Sequence, residues 1–96
     1  MKLTESGIAA TINQHPGWAF NDNAFVRTFT FPAFADAVAF VTRLGFDAES
    51  ADHHPDLTVS YRKVTVSWST HSEGGVTEKD VAGIEAADSV AARFGA

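Results

Sequence analysis

The chain has 96 residues with a formal charge of −5, a length for one small domain over 1–96 with room for one modest core. The acidic balance and the lack of a basic run argue against a nucleic-acid surface. No cysteine is present, which excludes disulfides, a thiolate nucleophile and cysteine-ligated zinc.

Residues 1–7 carry an acid early and no long apolar run, so neither a signal peptide nor a membrane span is expected, and the chain reads as cytoplasmic. Thr4 is placed to cap a first helix, with Glu5 near the positive end of its dipole. Ile8, Ala9 and Ile12 recur at helical spacing, and His15-Pro16-Gly17 ends the helix. Residues 18–20 read as a short strand and Asn21-Asp22-Asn23 as a turn. Residues 24–31 form its hairpin partner, with Phe25, Phe29 and Phe31 on one face, Val26, Thr28 and Thr30 on the other, and Arg27 interrupting the apolar side. Pro32 opens the next element where a missing N–H costs little.

A helix is expected over 33–50, with Phe34, Ala37, Val38, Val41, Leu44 and Ala48 as its stripe and Gly45 allowing close packing. Residues 57–61 and 64–70 read as a second hairpin around a tight Arg62-Lys63 connection. Val64, Val66 and Trp68 share one face; Thr65, Ser67, Ser69 and His71 share the other. Residues 72–75 read as a flexible loop. Thr77-Glu78-Lys79-Asp80 has the spacing of a capping box with Asp in place of Glu. Val81, Ile84, Ala87, Ala91 and Phe94 are the stripe of the last helix.

The order α-β-β-α-β-β-α predicts an α+β fold: a four-stranded antiparallel sheet with three helices packed on one face. The open face, expected to carry His71, needs another use or stays wet. Eight Phe and two Trp supply the core, and its small size makes homo-oligomerisation a source of extra stability.

The chemistry concentrates in residues 49–55: Glu49, Asp52, His53, His54 and Pro55, with His71 to join them in one pocket that moves protons on a small heterocycle. Histidine suits such work because its reference pKa, about 6.5, lies near working pH. Blander readings stand beside this one. Two histidines before a proline are, taken alone, most often solvated. Three histidines with acids can bind zinc, but neighbours in a loop rarely both ligate one ion, so no metal is expected. His15 reads as a helix end, Trp18 and Trp68 as core, and Tyr61 as structural. Asp80 serves as a cap or as a histidine's partner, and Glu49 as a solvated acid or a second partner.

The run Glu49-x3-His53-His54-Pro55, then Tyr61, Lys63-Val64, Ser69-Thr70-His71, Gly75 and Asp80, resembles the pterin-4a-carbinolamine dehydratase family. Gly17-Trp18 and Phe29-x-Phe31 also fall where that family has them, so the resemblance covers nearly the whole chain. It implies the fold above and a hydro-lyase without a cofactor. The reaction is dehydration of 4a-hydroxytetrahydropterin (4a-hydroxytetrahydrobiopterin) to quinonoid dihydropterin, in recycling of the cofactor of aromatic amino acid hydroxylases. It also implies a homodimer or homotetramer, with sheets and helices joined. Animal members are dimerisation cofactors of a homeodomain transcription factor, a role that no motif here carries over. Leu57 stands where the family commonly has an aromatic, and Glu73 where it often has Cys.

By that resemblance the catalytic residues are His53, His54, His71 and Asp80. The substrate-binding residues are Glu49, Asp52, His53, His54, Ser69, Thr70, His71 and Ser72. An acid must protonate the departing C4a hydroxyl and a base must take the N5 proton; no electrons move. His54 and His71 are expected to flank the reacting centre, with His53 binding or relaying a proton. The alternative is a non-catalytic dimerisation or interaction module on the same scaffold, which would not need the histidine trio. A role in another pterin-dependent pathway, such as molybdopterin metabolism, would share the pocket.

Overall fold

The computed structural model describes residues 1–96. The elements are α1 (Glu5–Gln14), β1 (Ala19–Asn21), β2 (Ala24–Thr30), α2 (Phe34–Ala51), β3 (Asp56–Ser60), β4 (Lys63–Trp68) and α3 (Glu78–Arg93), with a 3-10 turn at His71–Glu73 before α3. All strand pairs are antiparallel, in the order β1-β2-β4-β3. This is the expected α+β order.

Both hairpins are closed by two residues. Asp22 and Asn23 take left-handed φ of 50° and 63°, which matches the twist of the flanking strands. Asn21 therefore still pairs with Ala24, and β1 starts at Ala19, not at Trp18, which drops into the core. In the second hairpin Ser60 pairs with Lys63, so the connection is Tyr61-Arg62, not Arg62-Lys63. Tyr61 is the exposed, left-handed turn residue.

Phe25, Phe29 and Phe31 enter the core with Val64, Val66 and Trp68 from β4. Each fully buried side chain of this size is worth about 1.5–3 kcal/mol of transfer free energy. Arg27 escapes the apolar face at its guanidinium, which donates to Asp88 at 2.9 Å and lies over the Phe29 ring. The Trp18 indole N–H donates to the same Asp88 oxygen. A charge on the core side of a strand is tolerated because its stem is buried and its head is paired.

The phase of α2 differs from the expected one. Its buried face is Ala37, Phe40, Leu44 and Ala48, whereas Phe34 and Val38 are 52% and 42% exposed. Apolar residues surround the first turns of this helix, so spacing alone leaves its rotation open. Aromatic contact decides it: Phe40 packs 5.2 and 4.9 Å from Phe29 and Phe31. Nor does Gly45 mark a close approach, since a Cβ there would meet nothing within 4 Å. The tightest approach is at Gly83 of α3, whose Cβ would fall 2.4 Å from the Trp68 ring.

β4 ends at Trp68, but the expected alternation runs on past it, with Ser69 half-buried, Thr70 buried and His71 exposed. Thr70 is buried and pairs with Gly75 in an isolated bridge. Residues 71–73, expected in part as loose loop, form the 3-10 turn, closed by Gly74 at φ 70°. His71 thus stands on this turn, exposed, just beyond the last paired residues of the open face. That face is lined by hydroxyls, including a Thr28–Thr65 pair at 2.9 Å. α3 opens on a complete capping box formed by Thr77 and Asp80.

Candidate active site

Three segments converge at one end of the sheet. The first follows α2. Asp52 caps that helix at left-handed φ 52°, and His53 N–H bonds back to Ala48 C=O at 3.1 Å. This i→i−5 bond closes a tight helix end, which turns His53 and His54 out of the helical path. The second segment is the end of β4 with the 3-10 turn, carrying Ser69, Thr70, His71 and Ser72. The third is the first turn of α3, carrying Asp80.

The two adjacent histidines have different partners. His53 is 13% exposed, and its Nε2 lies 2.6 Å from Oδ1 of Asp80, which is fully buried. The other oxygen of Asp80 accepts from Thr70 Oγ1 at 2.7 Å and from the Thr77 N–H at 2.8 Å. A carboxylate oxygen only accepts, so opposite Asp80 Oδ1 the donor is the Nε2–H of His53. The face of its ring is stacked on Trp68 at 5.5 Å with a 14° tilt. The imidazole is therefore held at an edge and on a face. His54 turns the other way, with Nε2 2.7 Å from Glu49 Oε1 in a pair that is 57% and 79% exposed. Such an exposed pair orients but stabilises little.

These residues surround a hollow of about 410 Å³ with no hydrophobic residue in its wall. Asp52, His53, His54, Ser69, Thr70, His71 and Ser72 all line it. Glu49 stands behind His54, and Asp80 behind His53 and Thr70. Pro55, already marked by its place after the two histidines, completes the wall with Asp56 and Lys79, neither of which stands out by residue type in the chain. Lys79 had one signal, its place beside Asp80 in the capping box. Trp68 reads as core and is core, but it also covers His53. Leu57 packs against the core and is not in the wall. Glu73 faces outward to the α-amino group of Met1 at 3.3 Å. A second polar hollow, about 440 Å³, lies beyond Ser72 and Lys79 and contains no histidine.

No group of three His, Asp or Glu is arranged to hold a metal ion. The geometry suits proton transfer instead: three imidazoles, one buttressed by a buried carboxylate, around a polar hollow open to a small molecule.

The model of the family described as pterin 4 alpha carbinolamine dehydratase matches residues 1–90. The chain belongs to this family. A relative from Picosynechococcus sp., provisionally named pterin-4-alpha-carbinolamine dehydratase, is 48% identical over 82% of this chain and 86% of its own. One from Chloroflexus aurantiacus, with the same provisional name, is 44% identical over 93% of this chain and 96% of its own. Among solved structures, a transcriptional coactivator/pterin dehydratase from Brucella melitensis superposes with a TM-score of 0.91 at 35% identity, covering 95% of this chain and 99% of that one. A pterin dehydratase-like protein described as a RuBisCO assembly factor in the alpha-carboxysome gives a TM-score of 0.68 at 21% identity, covering 80% of this chain and 92% of its own. That second likeness is one of fold.

Proposed function

We propose that this chain is a cytoplasmic 4a-hydroxytetrahydropterin dehydratase that serves tetrahydrobiopterin recycling. The carrying observation is the histidine hollow with its buried His53–Asp80 pair, in a chain of the pterin 4 alpha carbinolamine dehydratase family. The C4a–O bond breaks as one imidazole protonates the departing hydroxyl, which leaves as water. The N5–H proton passes to a second imidazole while the N5=C4a bond forms. His54 and His71 take these two roles, and His53 binds the ring or relays a proton. Asp52, Ser69, Ser72 and Thr70 hold the heterocycle, Thr70 through the lone pair left on an oxygen that gives its proton to Asp80 and meets Thr77 Oγ1 at 2.9 Å. Glu49 supports His54. General acid–base help of this kind is typically worth about 10²–10⁴-fold.

Self-association into a homodimer or homotetramer accompanies this reading. It is supported by the apolar side chains that α2 leaves in the open: Phe34, Val38 and Phe46. The same exposed helix, and the likeness to a chain described as a transcriptional coactivator, support the interaction module as the second reading.

Stopped-flow dehydration of enzymatically generated 4a-hydroxytetrahydropterin decides between them. Wild type is compared with His54→Ala and His71→Ala. Acceleration by wild type that both variants lose is the expected result. A folded wild type that gives no acceleration sinks the enzyme reading and leaves the interaction module. Acceleration that survives both substitutions keeps the activity and removes these two residues from it.

A further inference from the structure

The turn between β1 and β2 meets the end of the His71 segment at the surface, outside the wall of the histidine hollow. Asn23 sits at left-handed φ 63°, and its Nδ2 donates to the carbonyl of Gly74 at 2.8 Å, across 51 residues of chain. Gly74, at φ 70°, closes the 3-10 turn that begins at His71. A Cβ placed on Gly75 would lie 3.5 Å from Asn23 Oδ1, so the amide touches both glycines.

The base of this segment is secured without Asn23. Thr70 exchanges backbone hydrogen bonds with Gly75 at 2.8 and 3.4 Å, and its hydroxyl is held by Asp80. The tip has only the local bonds of the turn itself, Glu73 N–H to Thr70 C=O at 3.0 Å and Gly74 N–H to His71 C=O at 3.1 Å. His71, Ser72, Glu73 and Gly74 are exposed, and two consecutive glycines give the backbone its widest conformational freedom here. The ion pair from Glu73 to the chain's first residue is fully exposed on the Met1 side, and pairs of that kind hold little. The Asn23 amide is a short, conformationally economical tie from the sheet to the carbonyl that ends the turn.

We propose that Asn23 is a positioning residue for His71, holding the 3-10 turn so that the imidazole faces the hollow. The kinetic part of this inference rests on the dehydratase reading; the ordering of the turn does not.

The test uses Asn23→Gly, which accepts the same positive φ without strain and removes only the amide. Asn23→Asp keeps shape and backbone but offers the Gly74 carbonyl an acceptor in place of a donor. In both variants, ¹⁵N order parameters and relaxation dispersion over His71 to Gly75 are expected to report loosening, with order parameters falling from the rigid level of about 0.85. The dehydration kcat should fall roughly three- to tenfold, the range one neutral hydrogen bond supports, with KM within about twofold. Against the residual rate that His71→Ala leaves, followed at high enzyme concentration, Asn23→Gly should cost nothing more, because the residue it positions is gone. Unchanged relaxation in both variants overturns the proposal, as does a kcat loss that persists in the His71→Ala background. If wild type shows no dehydration and the turn still loosens, the dehydratase reading fails while the anchoring of His71 is upheld.

Discussion

Asp80 does two jobs with one carboxylate. One oxygen closes the capping box of α3 and takes the Thr70 hydroxyl; the other takes His53. A buried acid with three donors loses much if one donor is left facing a like dipole. In Asp80→Asn the amide either points an N–H at Thr70 and the Thr77 N–H, which also donate, or turns it to His53, whose imidazole must then switch tautomer so that Nε2 accepts. Stability in urea is expected to fall by about 1–3 kcal/mol, the cost of an unsatisfied buried group. Dehydration kcat is expected to fall roughly tenfold to 10²-fold, below the ceiling for a complete acid–base group. Glu49→Gln is the contrast. Its pair with His54 is exposed on both sides, so stability should change by less than about 1 kcal/mol. Equal stability losses in the two variants would show that burial does not rank these carboxylates as argued.

At the scale of elements, the contact between β4 and α3 couples the core to the site. Trp68 fits under α3 only because residue 83 is glycine, and the same indole stacks on His53. Alanine at 83 would gain about 1 kcal/mol of helix propensity yet push against the indole, where overpacking costs about 1–3 kcal/mol. The expected net result is a lower Tm for Gly83→Ala, with near-ultraviolet circular dichroism reporting a displaced Trp68. Gly45→Ala adds the same methyl to α2, where it meets open space. There the propensity gain stands alone, and Tm should rise by up to several degrees for a domain of this size. A lower Tm for Gly45→Ala would place residue 45 inside the contact that Phe34 and Val38 are expected to make with a second copy.

For the whole molecule, α2 buries one face and leaves Phe34, Val38 and Phe46 in the open. Apolar groups grouped on one helix mark an association surface more often than scattered ones do. Sedimentation equilibrium is expected to give a mass above the 10.3 kDa of one chain, and Phe34→Ser with Val38→Ser should shift it toward the monomer. A wild type that stays monomeric at all concentrations removes homo-oligomerisation from the account. No helix is long and apolar enough to cross a membrane.

What the chain spells out locally was legible in advance. Strand and helix periods, the Asn21-Asp22-Asn23 turn, the Thr4 cap and the capping box at Thr77 depend on residues a few positions apart, so the order of elements follows from the sequence alone. The spacing of Glu49, His53, His54, His71 and Asp80 likewise carried the family resemblance. Other features depend on partners far along the chain. The rotation of α2 was settled by Phe40 meeting Phe29 and Phe31, not by its own spacing. His71 stands on a 3-10 turn because Thr70 pairs with Gly75 and the N–H groups of Glu73 and Gly74 bond back to Thr70 and His71. That Asp80 takes His53 while Glu49 takes His54, and that Lys79 and Asp56 stand in the wall, was decided by where β4 and α3 come together. Periodicity records which way a side chain points along its own element; only the packed tertiary structure determines what it meets there.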